Sequence, residues 1–246
     1  MVMPLWDDNP LKFPRLPIAT WGLIAANVLV FIFEAATPKE MQPLLEAFAL
    51  TPAALTGKAI VAGGVSPYAT LITYQFLHND IFHIGGNMLF LAIFGDDIEE
   101  AMGSLRFLIF YLLCGIAAAL VFVAGNPQAT APLIGASGAI AGVLAAYLMF
   151  RPCQKVAVFV PWFILWLFVR PVVKIDAIWV LGFWVLTQFW AISVQSQDGV
   201  AYMAHIGGLA AGAVLFPLMR SRGVRLFQCV QADEVPASPG PWGNSA

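Results

Sequence analysis

The chain has 246 residues, of which 60% are hydrophobic and only 11% are charged, whereas an ordinary soluble domain carries about 25% charged residues. This composition, with a mean hydropathy of +0.82, excludes such a domain and indicates a protein that crosses a membrane several times. The formal net charge of −2 provides no basic surface for nucleic acid, so we expect no nucleic-acid partner.

Apolar runs near the length of a membrane span, about 17 to 25 residues, occur six times along the chain. They cover residues 18–36, 81–101, 106–124, 134–150, 175–194 and 201–219. The first is long for the apolar part of a signal peptide, so we interpret it as a retained helix. The predicted fold is therefore an all-α polytopic membrane protein, a bundle of six transmembrane helices.

The segments between the runs complete the predicted organisation. Prolines break the loop at 37–80, where we expect short helices that are partly embedded in the membrane. The apolar stretch at 156–169 is short, contains Pro161 and lies between basic residues, so we predict an interfacial or re-entrant segment rather than a seventh span. The predicted regions are an N-terminal cytoplasmic segment (1–17), a membrane domain (18–220) and a disordered cytoplasmic tail (221–246).

The basic residues predict the orientation of the bundle. If the N-terminus is cytoplasmic, every lysine and arginine except Lys39 and Lys58 lies on the cytoplasmic side, which is ten of twelve. Such an excess of inner positive charge is typical of multi-pass proteins. We therefore expect a protein of a bacterial-type plasma membrane with both termini in the cytoplasm.

The three cysteines do not predict a cross-link or a metal site. Cys114, Cys153 and Cys229 are odd in number, and their spacing fits neither a zinc site nor a disulfide framework. We interpret them as structural or incidental thiols, and we expect neither a metal nor another cofactor.

Four polar residues lie at the outer ends of three predicted spans. His83 and Asn87 are one turn apart in the second span, Ser137 begins the fourth, and His205 begins the sixth. Polar groups in hydrocarbon are costly and tend to mark function. Small residues also follow both Ser137 and His205, including Gly208 on the face of His205, and such faces allow membrane helices to approach closely. We therefore expect the hydroxyl of Ser137 to meet the imidazole of His205.

A serine beside a histidine suits nucleophilic catalysis. The hydroxyl is a poor nucleophile until a neighbouring base removes its proton, and His205 is placed to do so and then to protonate the leaving amine. The oxyanion would be stabilised by backbone N–H groups at the start of the fourth span, with His83 and Asn87 as additional donors.

Because of these residues the chain resembles the rhomboid family of intramembrane serine proteases. The resemblance extends over residues 18 to 220. The matching motifs are Gly135-Ala136-Ser137-Gly138, Ala204-His205-Ile206-Gly207-Gly208, His83 to Asn87, Phe94-Gly95, Glu99, and Gly103-Ser104-Leu105-Arg106. The resemblance implies that Ser137 is the nucleophile and His205 its base, that His83 and Asn87 are oxyanion donors, and that the substrates are single-pass membrane proteins cut near their outer ends.

Two positions depart from the family pattern. Some members carry, four residues after the serine, a tyrosine that stacks on the base; here that residue is Ala141, so His205 must be oriented by another group. The tryptophan-arginine pair that is common in the outer loop is absent near Tyr74-Gln75-Phe76. His78 corresponds to a second outer-loop histidine of the family, which we do not interpret as catalytic.

Other functions fit the sequence less well. The chain lacks a His-Glu-x-x-His motif, which excludes one kind of zinc protease, and we interpret Asp96, Asp97 and Glu99 as a structural cluster at the inner membrane edge. Two alternatives without catalysis remain: an inactive rhomboid-like protein that binds transmembrane helices, and a small transporter. A transporter would show repeats or paired broken helices, which we do not find.

Overall fold

The computed structural model describes residues 3–7, 16–41, 46–60, 65–159, 170–194, 196, 200–227 and 229. The fold in this part of the chain is mainly helical. The α-helices are α1 (Ile18–Ala36), α2 (Pro52–Leu55), α3 (Thr70–Thr73), α4 (Ile81–Met102), α5 (Ser104–Gly125), α6 (Ser137–Phe150), α7 (Ala177–Ser193) and α8 (Tyr202–Met219). Each of the six predicted spans therefore coincides with a helix, and the short helices α2 and α3 lie in the predicted outer loop.

The helices have the composition of membrane spans. Within the described residues, four of them, α1, α4, α5 and α8, are long and apolar enough to cross a membrane, while α6 and α7 are apolar but shorter. The protein is therefore an integral membrane protein. The count of six spans and the three region boundaries stay predictions.

A small antiparallel sheet departs from the all-α prediction. Strands β1 (Met3–Asp7), β2 (Lys155–Phe159) and β3 (Val172–Asp176) pair in the order β1-β2-β3. The sequence analysis missed the sheet because its strands are only five residues long and because β1 pairs with β2, a segment far away in the chain. Of the predicted interfacial or re-entrant segment at 156–169, residues 156–159 lie in β2, while 160–169 lie outside the described residues; its position relative to the membrane stays a prediction.

Helix α8 packs closely against α6 through glycines. A Cβ atom built on Gly208 would collide with the carbonyl oxygen of Gly138, and one on Gly212 would collide with the backbone of Gly142. Only hydrogen side chains allow this approach of the two backbones. The predicted close crossing of the fourth and sixth spans is confirmed.

The carboxylate of Glu99 joins three helices at the other end of the bundle from Ser137. It accepts hydrogen bonds from the backbone nitrogens of Ala19 (3.0 Å) and Thr20 (2.7 Å), from Thr20 Oγ1 (2.8 Å) and from Ser104 Oγ (2.5 Å). Nearby, buried Asp97 forms an ion pair with Arg151 at 3.0 Å. These contacts confirm the structural interpretation of this acidic cluster.

We expect Glu99→Ala to destabilise the bundle by about 2–4 kcal/mol, because a buried donor left without its partner costs about 1–3 kcal/mol and Glu99 serves several donors. The free energy of unfolding in detergent micelles measures the effect. Exposed Glu46 supplies the matched control, and Glu46→Ala should leave stability unchanged. Equal stabilities of the two variants would contradict the anchoring role of Glu99.

The interpretation of all three cysteines as unlinked thiols was wrong. Cys153 and Cys229 form a disulfide with their Cα atoms 5.0 Å apart, across a sequence separation of 76 residues, while Cys114 is free and buried. The chain after α8 returns to the end of α6, where the backbone nitrogen of Phe227 donates to the Met149 carbonyl at 2.6 Å. This return is a long-range contact that cysteine spacing does not reveal.

Candidate active site

Ser137 is the first residue of α6, and the loop before it is held firmly. Gly135 adopts a positive φ of 114°, which glycine tolerates best. Its backbone nitrogen donates to the Tyr74 carbonyl at 2.9 Å, and the Tyr74 hydroxyl donates to the Gly115 carbonyl at 2.7 Å. Ser137 is thereby fixed at the helix start, and its side chain is only partly buried.

His205 lies in the first turn of α8 and faces Ser137. The two side chains are joined by a hydrogen bond of 2.9 Å between Ser137 Oγ and His205 Nε2. The packing of Gly208 against Gly138 brings the starts of α6 and α8 together. The imidazole is only 7% exposed, so little water competes for this bond.

Helix α7 supplies two further neighbours of the His205 ring, beside Tyr202 of α8, whose ring lies 6.2 Å from the imidazole, centroid to centroid. Gln188 Oε1 lies 2.7 Å from His205 Nδ1, and the Trp184 ring lies 5.7 Å from the imidazole, centroid to centroid. These side chains come from α7, whereas Ala141 of α6 contributes no ring. Sequence reasoning missed Gln188, although a glutamine inside the apolar run 175–194 was a signal of the kind that marked His205.

His83 and Asn87 lie on α4 against the loop that precedes Ser137. A Cβ atom built on Gly135 would be 2.7 Å from His83 Nε2 and 3.8 Å from Asn87 Nδ2, so both side chains approach the backbone two residues before the serine. Buried Asn87 Nδ2 has no hydrogen-bond partner among the residues that the structure describes. A buried donor without a partner costs free energy. A hydrogen bond from Asn87 Nδ2 to an oxygen atom of a ligand would therefore be favourable.

The start of α4 is fixed by a capping residue. Asp80 Oδ1 accepts hydrogen bonds from the backbone nitrogens of Phe82 (2.8 Å) and His83 (2.9 Å), which satisfies two N–H groups of the first turn. The cap sets the position of the turn that carries His83, and Asn87 follows one turn later.

His78 lies beside His83 but apart from the serine pair. The two imidazole rings are 5.0 Å apart, centroid to centroid. Burial, together with the neighbouring His83, lowers the pKa of His78 from 6.5 to about 4. His78 is therefore neutral at neutral pH, and its contacts support His83 rather than Ser137.

An apolar cavity of about 270 Å³ lies beside α7. Its wall includes Phe90 of α4, Pro4 of β1, and Trp179, Trp184 and Thr187 of α7. Trp184 both lines this cavity and lies beside the His205 ring. The lining of this cavity suits apolar side chains rather than a charged ligand.

The fold and the site define a helical integral membrane protein with a serine hydroxyl bonded to a buried imidazole. A family model described as Rhomboid domain matches residues 66–222, which is more than half of the chain. The chain belongs to the rhomboid family.

Individual relatives agree with this membership. The chain is 33% identical to the human "Presenilin-associated rhomboid-like protein, mitochondrial" over 145 residues, which cover 58% of this chain and 35% of the relative. It is 33% identical to "Rhomboid protein 1, mitochondrial" of Saccharomyces cerevisiae over 101 residues, 39% of this chain and 29% of the relative. It is 41% identical to "Rhomboid protease GluP" of Bacillus subtilis over 78 residues, 32% of this chain and 15% of the relative. The matched part thus spans about a third or less of the length of these relatives.

Proposed function

We propose that the protein is an intramembrane serine endopeptidase that hydrolyses peptide bonds in or near the transmembrane segments of single-pass membrane proteins. The observation that carries this proposal is the 2.9 Å hydrogen bond between Ser137 Oγ and His205 Nε2. Family membership supports it, since one relative is named a rhomboid protease.

In the proposed reaction His205 acts first as a base and then as an acid. Nε2 takes the proton of Ser137 as Oγ attacks the scissile carbonyl carbon. The tetrahedral oxyanion accepts hydrogen bonds from His83, from Asn87 and from backbone N–H groups at the start of α6. His205 returns the proton to the leaving amine, and water then hydrolyses the acyl-enzyme with His205 again as the base.

The deciding experiment uses the purified full chain in detergent with a single-pass membrane substrate. We expect cleavage by the wild type and labelling of Ser137 by a fluorophosphonate, and neither reaction with Ser137→Ala. If the wild type binds the substrate but does not cleave it, the protein is instead an inactive rhomboid-like protein that binds transmembrane helices. Cleavage undiminished in Ser137→Ala would also contradict the proposal.

We expect His83→Ala and Asn87→Ala to leave partial activity. Loss of one oxyanion donor elsewhere lowers kcat by about 10²–10³, and the backbone donors of α6 would remain in both variants. Steady-state kinetics should show the loss in kcat with KM nearly unchanged. Ile81→Ala, at an exposed position of α4, is the control and should match the wild type. A loss as complete as that of Ser137→Ala would contradict the role of a single donor.

The orientation is part of the proposal, with the active site opening to the side opposite the basic loops. The charge distribution supports a cytoplasmic location of Lys155. The Cys153–Cys229 disulfide, close to Lys155 in the chain, favours a location of Lys155 outside the cytoplasm, because disulfides are rare in the cytosol. The relatives described above come from mitochondria and from a bacterium, so the bacterial-type plasma membrane stays a prediction.

Cysteine accessibility in intact cells decides the orientation. In a cysteine-free background, Gln128→Cys should react with an impermeant maleimide from outside, whereas Lys155→Cys should react only after lysis. Both positions are exposed, so burial does not confound the comparison. Reaction of Lys155→Cys from outside would reverse the orientation.

A further inference from the structure

We propose that Gln188 is a positioning residue that fixes the tautomer of His205. Its amide oxygen accepts the proton of Nδ1, which leaves Nε2 free to accept the proton of Ser137. This inference rests on the proposed function, because it assigns a third member to the same site. It follows from the hydrogen bonds around the Gln188 amide.

The orientation of the Gln188 amide is determined by a group that can only accept. Its nitrogen Nε2 lies 3.0 Å from the carbonyl oxygen of Trp184 and 3.0 Å from Thr187 Oγ1. The Thr187 hydroxyl itself donates to the Trp184 carbonyl at 2.6 Å, so its oxygen is left to accept. Both neighbours therefore require the NH₂ group of Gln188. The amide oxygen must then face His205.

This orientation determines which nitrogen of His205 carries the proton. An amide oxygen only accepts, so Nδ1, at 2.7 Å, must be the protonated nitrogen of the neutral ring. Nε2 is then unprotonated, and the Ser137 hydroxyl at 2.9 Å donates to it. The opposite tautomer would set two acceptors against each other at Nδ1 and would leave Ser137 without its base.

Burial makes the loss of the hydrogen bond between Gln188 and His205 costly. Gln188 is 4% exposed and His205 is 7% exposed, so water does not replace a lost partner easily, and an unsatisfied buried donor costs about 1–3 kcal/mol. At position 141 of α6 there is an alanine, whose methyl group cannot hold the ring. Helix α7 supplies Gln188 at Nδ1 and Trp184 beside the imidazole, and Tyr202 of α8 packs edge-on against the ring, so Gln188 is the group that bonds Nδ1.

The kinetic test compares Gln188→Met, which keeps the length of the side chain but lacks the amide oxygen, with Gln188→Glu, which keeps an acceptor. We expect Gln188→Met to lower kcat about 10- to 100-fold, a part of the 10²–10⁴ that a positioned base contributes, with KM nearly unchanged. Gln188→Glu keeps the acceptor for Nδ1 but lacks the NH₂ group that donates to the Trp184 carbonyl, so it should recover part of the lost rate. Gln75→Met is the control, because Gln75 is also a buried glutamine; it should lower stability without this loss of kcat.

A spectroscopic test reads the tautomer without any need for cleavage. The chain has only three histidines, so ¹⁵N-histidine NMR of the detergent-solubilised protein gives few signals, and His205→Ala identifies those of His205. In the wild type and in Gln75→Met, His205 should show a protonated Nδ1 and an unprotonated Nε2. In Gln188→Met the two nitrogens should exchange the proton and show averaged shifts.

The outcomes separate this inference from the proposed function. A wild type that fails to cleave contradicts the proposed function and removes the basis of the inference. An active wild type whose kcat and His205 spectrum are unchanged in Gln188→Met overturns only the inference. Loss of kcat in Gln188→Met without recovery in Gln188→Glu, and with an unchanged His205 tautomer, would show a merely structural role and would also overturn it.

Discussion

Ser137→Ala, His205→Ala and the double variant are each expected to lower kcat/KM by about the same factor, about 10⁴–10⁶. The nucleophile and its base act as a unit, so removal of either one removes the reaction that the other serves. The second substitution therefore adds little to the first. Cleavage of a single-pass substrate by the three variants, at equal amounts of folded protein, measures the effect.

The folded bundle should survive Ser137→Ala, because alanine suits a helix start packed among small residues. Ser193→Ala is the matched control: Ser193 lies at the exposed end of α7 and its hydroxyl donates to the Trp190 carbonyl of the same helix, so its loss should leave activity intact. If the losses in Ser137→Ala and His205→Ala multiplied in the double variant, the two residues would act independently and the dyad would be wrong.

Gly208→Ala is expected to destabilise the protein by about 2–3 kcal/mol, the upper range for overpacking of a tight interface. The new Cβ would meet the carbonyl oxygen of Gly138, a backbone atom that cannot rotate away. Helices α6 and α8 would have to separate, and this separation would lengthen the Ser137–His205 hydrogen bond. Activity should therefore fall even in the fraction that stays folded.

Thermal unfolding in detergent, together with cleavage assays below the unfolding transition, tests this result. Gly182→Ala is the control, since no atom of the described residues lies within 4 Å of a Cβ built on this helical glycine of α7. It should be neutral or slightly stabilising, because alanine favours helix by about 1 kcal/mol over glycine. Wild-type stability and activity in Gly208→Ala would show that the backbones do not need to approach so closely.

The sequence by itself determined the helices and most of the candidate site. An apolar run of span length can be recognised from the local sequence alone, and the predicted spans agree with helices α1 and α4 to α8. Polar residues stand out against such runs because they are costly in hydrocarbon, which is how Ser137, His205, His83 and Asn87 were found. The 3.6-residue period placed Gly208 on the face of His205, and the close crossing of α6 and α8 follows from it.

Only the tertiary structure decided which distant segments meet. The sheet pairs β1 with β2 across more than 140 residues of chain, and the disulfide joins Cys153 to Cys229 across 76 residues. In both cases the local sequence of one segment does not indicate which distant segment it contacts. Gln188 was visible as a polar residue in an apolar run, but the period of a helix does not say which neighbour each face will meet. Its contact with His205 depends on how α7 is rotated against α8, and that rotation results from the packing of the whole bundle.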